Sequence, residues 1–316
     1  MRRRRRERAR RRTRRQRGIA VAIAVCALAA GVVVLGPGLG GSNEAEPPAA
    51  RAAPPPELPR GGRRILPDHT VVAFYGAPQQ EALGTLGIGT PAAAGRRLER
   101  QARGYRGGGR PLLPAFELIA TIAHSAPGED GDHSQRQTAS TIRRYLRAAR
   151  AQRALLVLDV QPGRAPFMRE VRALRRFLRE PDVSLALDPE WSVAPGELPG
   201  QEIGSTDAET VNEVSRYLSR IVRDGDLPQK LLVVHRFTHD MLRDEDRLQR
   251  HPGVALVVNV DGFGDRPNKV AKYRELAGAR PDRHHGFKLF YNEDTNLMSP
   301  RRVLRLQPRP ELIVYE

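Results

Sequence analysis

Val183-Ser-Leu-Ala-Leu187 is followed directly by Asp188-Pro-Glu-Trp191. The first five residues form a short apolar run, which is typical of a strand buried on both faces of a parallel sheet. In a parallel α/β barrel, residues just after a strand lie at the C-terminal face, where such folds carry their chemistry. If strand alternation continues through the motif, the Asp188 and Glu190 carboxylates point the same way. The stretch predicts a buried strand that ends in two acids.

Seven similar runs accompany this one between Thr70 and the end of the chain. The eight predicted strands are residues 70–75, 115–122, 154–160, 183–187, 231–234, 254–260, 286–291 and 311–315. Helical spacing of apolar residues predicts helices around 167–178 and 211–221, and weaker helical patterns cover 92–104, 135–151, 239–250, 267–276 and 300–306. Ser205 or Thr206 with Glu209 predicts a capping box at one helix start.

Alternating strands and helices predict an α/β fold with a parallel sheet. Eight strands within 65–316, a length of 252 residues, favour a closed (β/α)₈ TIM-type barrel. An open doubly wound sheet is the alternative. The turn Tyr75-Gly-Ala-Pro lacks the G-x-G-x-x-G of a dinucleotide site, and no cofactor is predicted.

The formal net charge of +17 is concentrated at the amino terminus, where residues 1–17 hold twelve Arg and one Glu. The rest of the chain is only mildly basic, which argues against nucleic-acid binding. Residues 18–39 are uncharged and mostly apolar, and they predict a transmembrane signal-anchor with residues 1–17 in the cytoplasm. Residues 40–64 are rich in Pro, Ala and Gly and predict a disordered linker to an extracytoplasmic domain. Secretion after signal cleavage is the alternative.

Polar residues collect where the predicted strands end, which favours a site at the C-terminal face of the barrel. They include Tyr75, Asp159, Gln161, Asp188, Glu190, His235, Asn259, Asp261, Asn292, Glu293 and Asp294. Glu117 lies inside an apolar strand, where a lone charge is costly, and an interior Arg or Lys288 is its expected partner.

The sequence Leu-Ala-Leu-Asp188-Pro-Glu190-Trp191 resembles the D-x-E that closes the signature of family 18 chitinase-like glycoside hydrolases. It is similar also to the D-x-E of family 25 lysozymes. Leu185-Ala-Leu187 stand where the chitinase signature has further aspartates, and Pro189 separates the two acids. The resemblance implies that Glu190 is the general acid and that Asp188 is its catalytic partner.

These observations predict a glycoside hydrolase-like protein of the cell envelope with catalytic residues Glu190 and Asp188. The predicted substrate-binding residues are Tyr75, Asp159, Trp191, His235, Asp261, Tyr291 and Glu293. Glu293 is also a possible nucleophile after the seventh strand, and residues 192–204 are a possible lid. A non-catalytic barrel that binds a glycan or a protein is one alternative function.

A metal-dependent phosphodiesterase is the other alternative, with histidines as ligands. His235 and His239 stand four residues apart, and His124 and His133 follow the second strand. Because His235 and His239 do not share one regular element, no metal site is predicted. The expected partners are the membrane, through residues 18–39, and a glycan.

Overall fold

The computed structural model describes residues 54–280 and 282–316, in which eight parallel strands close into a barrel. The strands are β1 (Thr70–Gly76), β2 (Leu112–Ala123), β3 (Leu155–Val160), β4 (Val183–Leu187), β5 (Lys230–Arg236), β6 (Val254–Val260), β7 (His284–Leu289) and β8 (Leu312–Tyr315). Each strand pairs with its neighbours in chain order, and β1 pairs with both β2 and β8. The predicted TIM-type α/β fold is confirmed, and the open sheet is wrong.

Helices pack on the outside of the barrel between successive strands. They are α1 (Pro91–Arg103), α2 (Ala139–Ala151), α3 (Phe167–Ala173), α4 (Arg175–Leu178), α5 (Ala208–Asp224), α6 (Arg266–Gly278) and α7 (Pro300–Val303). Asp207 caps α5 by accepting from the Thr210 backbone N–H at 2.9 Å, so the predicted capping box is wrong. The helix predicted over 239–250 is also wrong, because a two-residue strand and a 3₁₀ turn occupy that connection.

Two apolar layers hold the barrel together. One layer fills its interior with alternate strand residues such as Val71 and Ala73 of β1 and Val157 of β3. The other lies between the strands and the helices and includes Val72 and Phe74. Because side chains alternate across a strand, one strand supplies both layers, which is why the runs in the sequence are apolar throughout.

The segment before β1 closes the end of the barrel that lies opposite the strand carboxyl ends. Leu58, Ile65 and Leu66 are buried with the interior residues, and the Gln229 side chain, just before β5, accepts from the backbone N–H of Ile65 at 2.6 Å. Residues 54–64 of the predicted linker therefore belong to the same compact unit as the barrel.

Within the described residues, no helix is long and apolar enough to cross a membrane. The predicted anchor, residues 18–39, lies outside the described residues, as do the Arg-rich segment 1–17 and residues 40–53 of the linker.

Candidate active site

A cavity of about 460 Å³ opens at the carboxyl ends of the strands. Its size falls within the range of roughly 300–1,000 Å³ that small-molecule sites occupy. The polar lining residues are Tyr75, Gln161, Asp188, Glu190, Asp261, Lys272, Lys288 and Glu316, and the apolar ones include Ile119, Trp191, Phe237, Phe263 and Phe290. Residues that follow β1, β3, β4, β5, β6, β7 and β8 thus meet at one place, as expected for this fold.

The two acids of the D-x-E reach the cavity from a turn. β4 ends at Leu187, and Pro189–Trp191 form a 3₁₀ turn that begins after Asp188. The expectation that Asp188 and Glu190 continue the strand is therefore wrong, since Pro189 at the first turn position favours the turn. Both side chains nevertheless line the cavity.

Asp188 lies in a buried network with three other polar side chains. The Tyr75 hydroxyl lies 3.2 Å from Asp159 Oδ2 and 3.4 Å from Asp188 Oδ2, so it can donate a hydrogen bond to either carboxylate. Gln161 Nε2 donates to the Tyr75 hydroxyl at 3.0 Å and lies 3.4 Å from Asp188 Oδ2. These contacts fix the orientation of Asp188, whose pKa is raised by burial against the opposing effects of His235 and Lys288.

Glu190 is the partly buried acid of the pair. Burial, together with the negative charges of Asp188 and Asp261, raises the pKa of Glu190 to about 7. The half-buried Trp191 follows it on the same turn and also lines the cavity. A carboxyl group that keeps its proton near neutral pH can act as a general acid.

His235 lies below the cavity and joins two carboxylates. Its Nδ1 is 3.0 Å from Asp261 Oδ2, and its Nε2 is 2.9 Å from Glu117 Oε1. Burial opposes a charge on His235, but Asp261 and Glu117 outweigh it and raise its pKa well above the ordinary value. The expected pairing of Glu117 with an Arg or with Lys288 is wrong, since its partner is a histidine from across the barrel.

Lys288 of β7 supplies a positive charge at the cavity wall. Its Nζ lies 2.7 Å from Glu316 Oε2, 3.4 Å from Asp261 Oδ2 and 3.8 Å from the centre of the Tyr75 ring. Burial disfavours the ammonium charge, but Glu316 and Asp261 hold its pKa well above the ordinary value. Lys288 thereby ties β7 to β6 and to the residue after β8.

Five of the nine predicted site residues line the cavity, namely Tyr75, Asp188, Glu190, Trp191 and Asp261. Asp159 and His235 are buried and contact these residues through the hydrogen bonds described above. Tyr291 and Glu293 are exposed and do not line the cavity. The Tyr291 hydroxyl donates to Gln101 Oε1 at 3.0 Å, and its ring stacks on Tyr315.

The histidine pair considered as metal ligands does not form. His239 is exposed and lies 3.1 Å from Glu275, whereas His235 is buried. Residues 192–204 return to the 3₁₀ turn, where the Gly204 backbone N–H donates to the Glu190 carbonyl at 2.7 Å.

Sequence reasoning assigned no site role to Glu117, Lys288 or Glu316. Glu117 and Lys288 each place a charge within an apolar strand; this pattern predicts a buried partner for Glu117, and it is also the signal that could have assigned both residues to the site. Nothing in the sequence distinguishes Glu316 from a surface carboxylate.

No known protein-family model matches this chain, and no curated protein is significantly similar to it.

Proposed function

We propose that this protein is a membrane-anchored glycoside hydrolase that acts on a glycan of the cell envelope. The observation that carries the proposal is Glu190, a carboxyl group with a pKa of about 7 that faces an aromatic-walled cavity beside Asp188. Glycosidic cleavage requires one carboxyl group that donates a proton and a second group that stabilises developing positive charge. Burial raises the pKa of both acids, but the charges of His235 and Lys288 and the contacts from Tyr75 and Gln161 favour the carboxylate form of Asp188. This difference supports Glu190 as the proton donor and Asp188 as the stabilising carboxylate.

In the proposed mechanism, Glu190 protonates the glycosidic oxygen of the leaving group as the bond from the anomeric carbon to that oxygen breaks. Water then adds to the anomeric carbon and gives its proton to the Glu190 carboxylate, which restores the acid. Asp188, held by Tyr75 and Gln161, faces the positive charge that develops on the sugar. Trp191, Phe237 and Phe263 offer apolar faces on which sugar rings can stack. Lys288 and Lys272 balance part of the carboxylate charge around the cavity.

The test uses the full-length chain on peptidoglycan and on a panel of polysaccharides, with the release of reducing ends as the readout. Glu190→Gln is expected to lower the rate on the best substrate by about 10²–10⁴-fold, the usual contribution of a general acid. The matched control is Glu202→Gln, which changes an exposed carboxylate in the segment that follows Trp191 and should leave the rate unchanged. A rate that is the same in Glu190→Gln would refute the assignment.

The same experiment separates catalysis from binding alone. If no glycan is cleaved but one binds to the wild type, and Trp191→Ala weakens that binding, the protein is a non-catalytic glycan-binding barrel. The phosphodiesterase with His235 and His239 as ligands receives no support from the geometry, because His239 is exposed and bonded to Glu275.

The proposed location is the cell membrane, with residues 18–39 as the anchor and the barrel outside the cytoplasm. Deleting residues 1–39 is expected to move the protein from the membrane fraction to the soluble fraction. Protease added to cells with an opened outer layer should digest only an extracytoplasmic barrel, and full protection would contradict this placement.

A further inference from the structure

Three side chains from separate strands converge inside the barrel, below the cavity. Glu117 of β2, Asp159 of β3 and His235 of β5 each offer a ligand atom that lies within 4.8 Å of the other two. Each residue is at most 1% exposed. None of the three lines the cavity, so the cluster is a separate feature from the proposed catalytic acids.

The hydrogen bonds of His235 orient its ring so that Nε2 points toward Glu117. Asp261 contacts Nδ1 at 3.0 Å, and Asn259 contacts the same carboxylate. A carboxylate on one nitrogen of a histidine is the arrangement that prepares the other nitrogen to bind a metal. His235 Nε2 lies 2.9 Å from Glu117 Oε1. Two atoms bound to one ion at about 2.0–2.2 Å have a similar separation.

A proton between His235 and Glu117 explains only part of the geometry. It satisfies Glu117 Oε1, but Glu117 Oε2 and Asp159 Oδ1 are buried and have no hydrogen-bond partner among the described residues. The Tyr75 hydroxyl contacts the other oxygen of Asp159. A buried carboxylate oxygen without a partner is unfavourable, so two in one cluster point to a site that can bind a cation.

The nearest lysine cannot fill this role. Lys288 Nζ lies 2.7 Å from Glu316 and 3.4 Å from Asp261, which is already the partner of His235. Among the described contacts, Glu117 and Asp159 therefore have no cationic partner other than a protonated His235.

We propose that Glu117, Asp159 and His235 bind one divalent transition-metal ion beneath the floor of the cavity. One imidazole nitrogen with two carboxylates suits Zn²⁺ or Mn²⁺ better than Ca²⁺ or Mg²⁺, which prefer oxygen ligands alone. Because none of the three ligands lines the cavity, the ion does not contact substrate. It positions Asp159, and through the Tyr75 hydroxyl it positions Asp188.

The test measures metal in the full-length protein after purification without chelators. Elemental analysis should find one ion per chain in the wild type. After removal of metal with EDTA, calorimetric titrations with Zn²⁺ and with Mn²⁺ should show saturable binding of at least one of them. Asp159→Asn and Glu117→Gln keep the side-chain shape and should weaken that binding by at least about tenfold.

Two control variants locate the ion. His239→Gln removes an exposed histidine, and Glu190→Gln removes the proposed catalytic acid, and both should keep the full metal content. Because Glu190→Gln is expected to lose activity and to retain the ion, failure of the metal site and failure of the glycosidase proposal are distinguishable.

Folded wild-type protein that binds neither Zn²⁺ nor Mn²⁺ would overturn the inference in favour of a protonated His235. Unchanged binding in folded Asp159→Asn would also overturn it, since the ion would then lie elsewhere. If the variants do not fold, the effect of metal on the melting temperature of the wild type tests the site instead. It should rise on addition of Zn²⁺ or Mn²⁺ and fall with EDTA, and no change with either would contradict the site.

Discussion

Glu190 is a titratable residue of the cavity lining whose pKa lies near neutral pH. Its carboxyl group is partly withdrawn from water on a short turn, and Asp188, Asp261 and Glu316 face it with negative charge while Lys288 opposes them. Burial is the largest cause of its raised pKa. Both the activity and the stability of the protein should therefore depend on pH near neutrality.

The pH profile of activity should show the protonation of Glu190. A general acid works only while it holds its proton, and its pKa is about 7, so the rate should fall as the pH rises above 7. The measurement is kcat/KM from pH 5 to pH 9 on the best glycan. Glu202→Gln should keep the same falling limb, whereas a wild-type rate that is constant up to pH 9 would contradict the assigned acid.

Removing the Glu190 charge should stabilise the fold at alkaline pH. Its pKa is about 7 in the folded chain and 4.5 ordinarily, so the unfolded chain loses the proton first and stability falls between these two values. Glu190→Gln should recover up to about 3 kcal/mol at pH 8 and little at pH 4. Urea unfolding at both pH values checks this, with Glu202→Gln as the control. Equal effects at the two pH values would argue against a raised pKa.

At the scale of the element, the 3₁₀ turn Pro189–Trp191 and the segment 192–204 act together. The Gly204 backbone N–H donates to the Glu190 carbonyl at 2.7 Å, and the Ser205 backbone N–H donates to the Ser192 carbonyl at 3.0 Å. The segment therefore supports the turn that carries Glu190 and Trp191.

Gly204→Ala should disturb this support. A Cβ at 204 would lie 2.6 Å from the Pro189 carbonyl oxygen and closer still to that of Ser192, and backbone atoms cannot move away cheaply. We expect a loss of stability of about 1–3 kcal/mol and a lower kcat/KM, measured by urea unfolding and by glycan cleavage. Gly278→Ala at the end of α6 meets no atom within 4 Å and is the control. If the Gly204→Ala protein were as stable as that control, the backbone around residue 204 would have to move at little cost, which would contradict this prediction.

At the scale of the whole molecule, the barrel is closed at one end by the segment before β1 and carries its cavity at the other. Leu58 is 3% exposed, and Arg60 reaches Glu99 of α1 at 2.7 Å. Arg63 donates to the Asp226 side chain at 2.7 Å. The end of the barrel opposite the cavity is thus closed by residues 54–64, which composition alone assigns to a linker.

A chain that begins at Ile65 should be less stable than one that begins at Ala53. It loses the buried Leu58, worth about 1.5–3 kcal/mol, together with the bonds of Arg60 and Arg63. The midpoints of urea unfolding of the two truncated chains test this difference. Leu58→Ala in the longer chain should reproduce much of the loss, and equal midpoints for the two chains would contradict a structural role for 54–64.

Much of the architecture could be predicted from local pattern. All eight strands were found within a few residues, because an interior strand must be apolar on both faces and such runs are visible in the sequence. The same run of apolar residues, 183–187, places Asp188, Glu190 and Trp191 directly after the end of a strand. The connection 239–250 was missed because its helical spacing is weak and tertiary contacts override it.

The barrel and the position of the D-x-E can be predicted from local pattern, since both follow from hydrophobic periodicity and from residues adjacent in the chain. The partners of the buried charges depend on the tertiary structure, such as Glu117 with His235 across the barrel and Lys288 with Glu316 after the neighbouring strand. The tertiary structure also places Tyr291 and Glu293 outside the cavity, because β7 ends at Leu289 and residues 291–293 form a turn. Contacts between residues on different strands depend on strand register and closure, which local pattern does not encode.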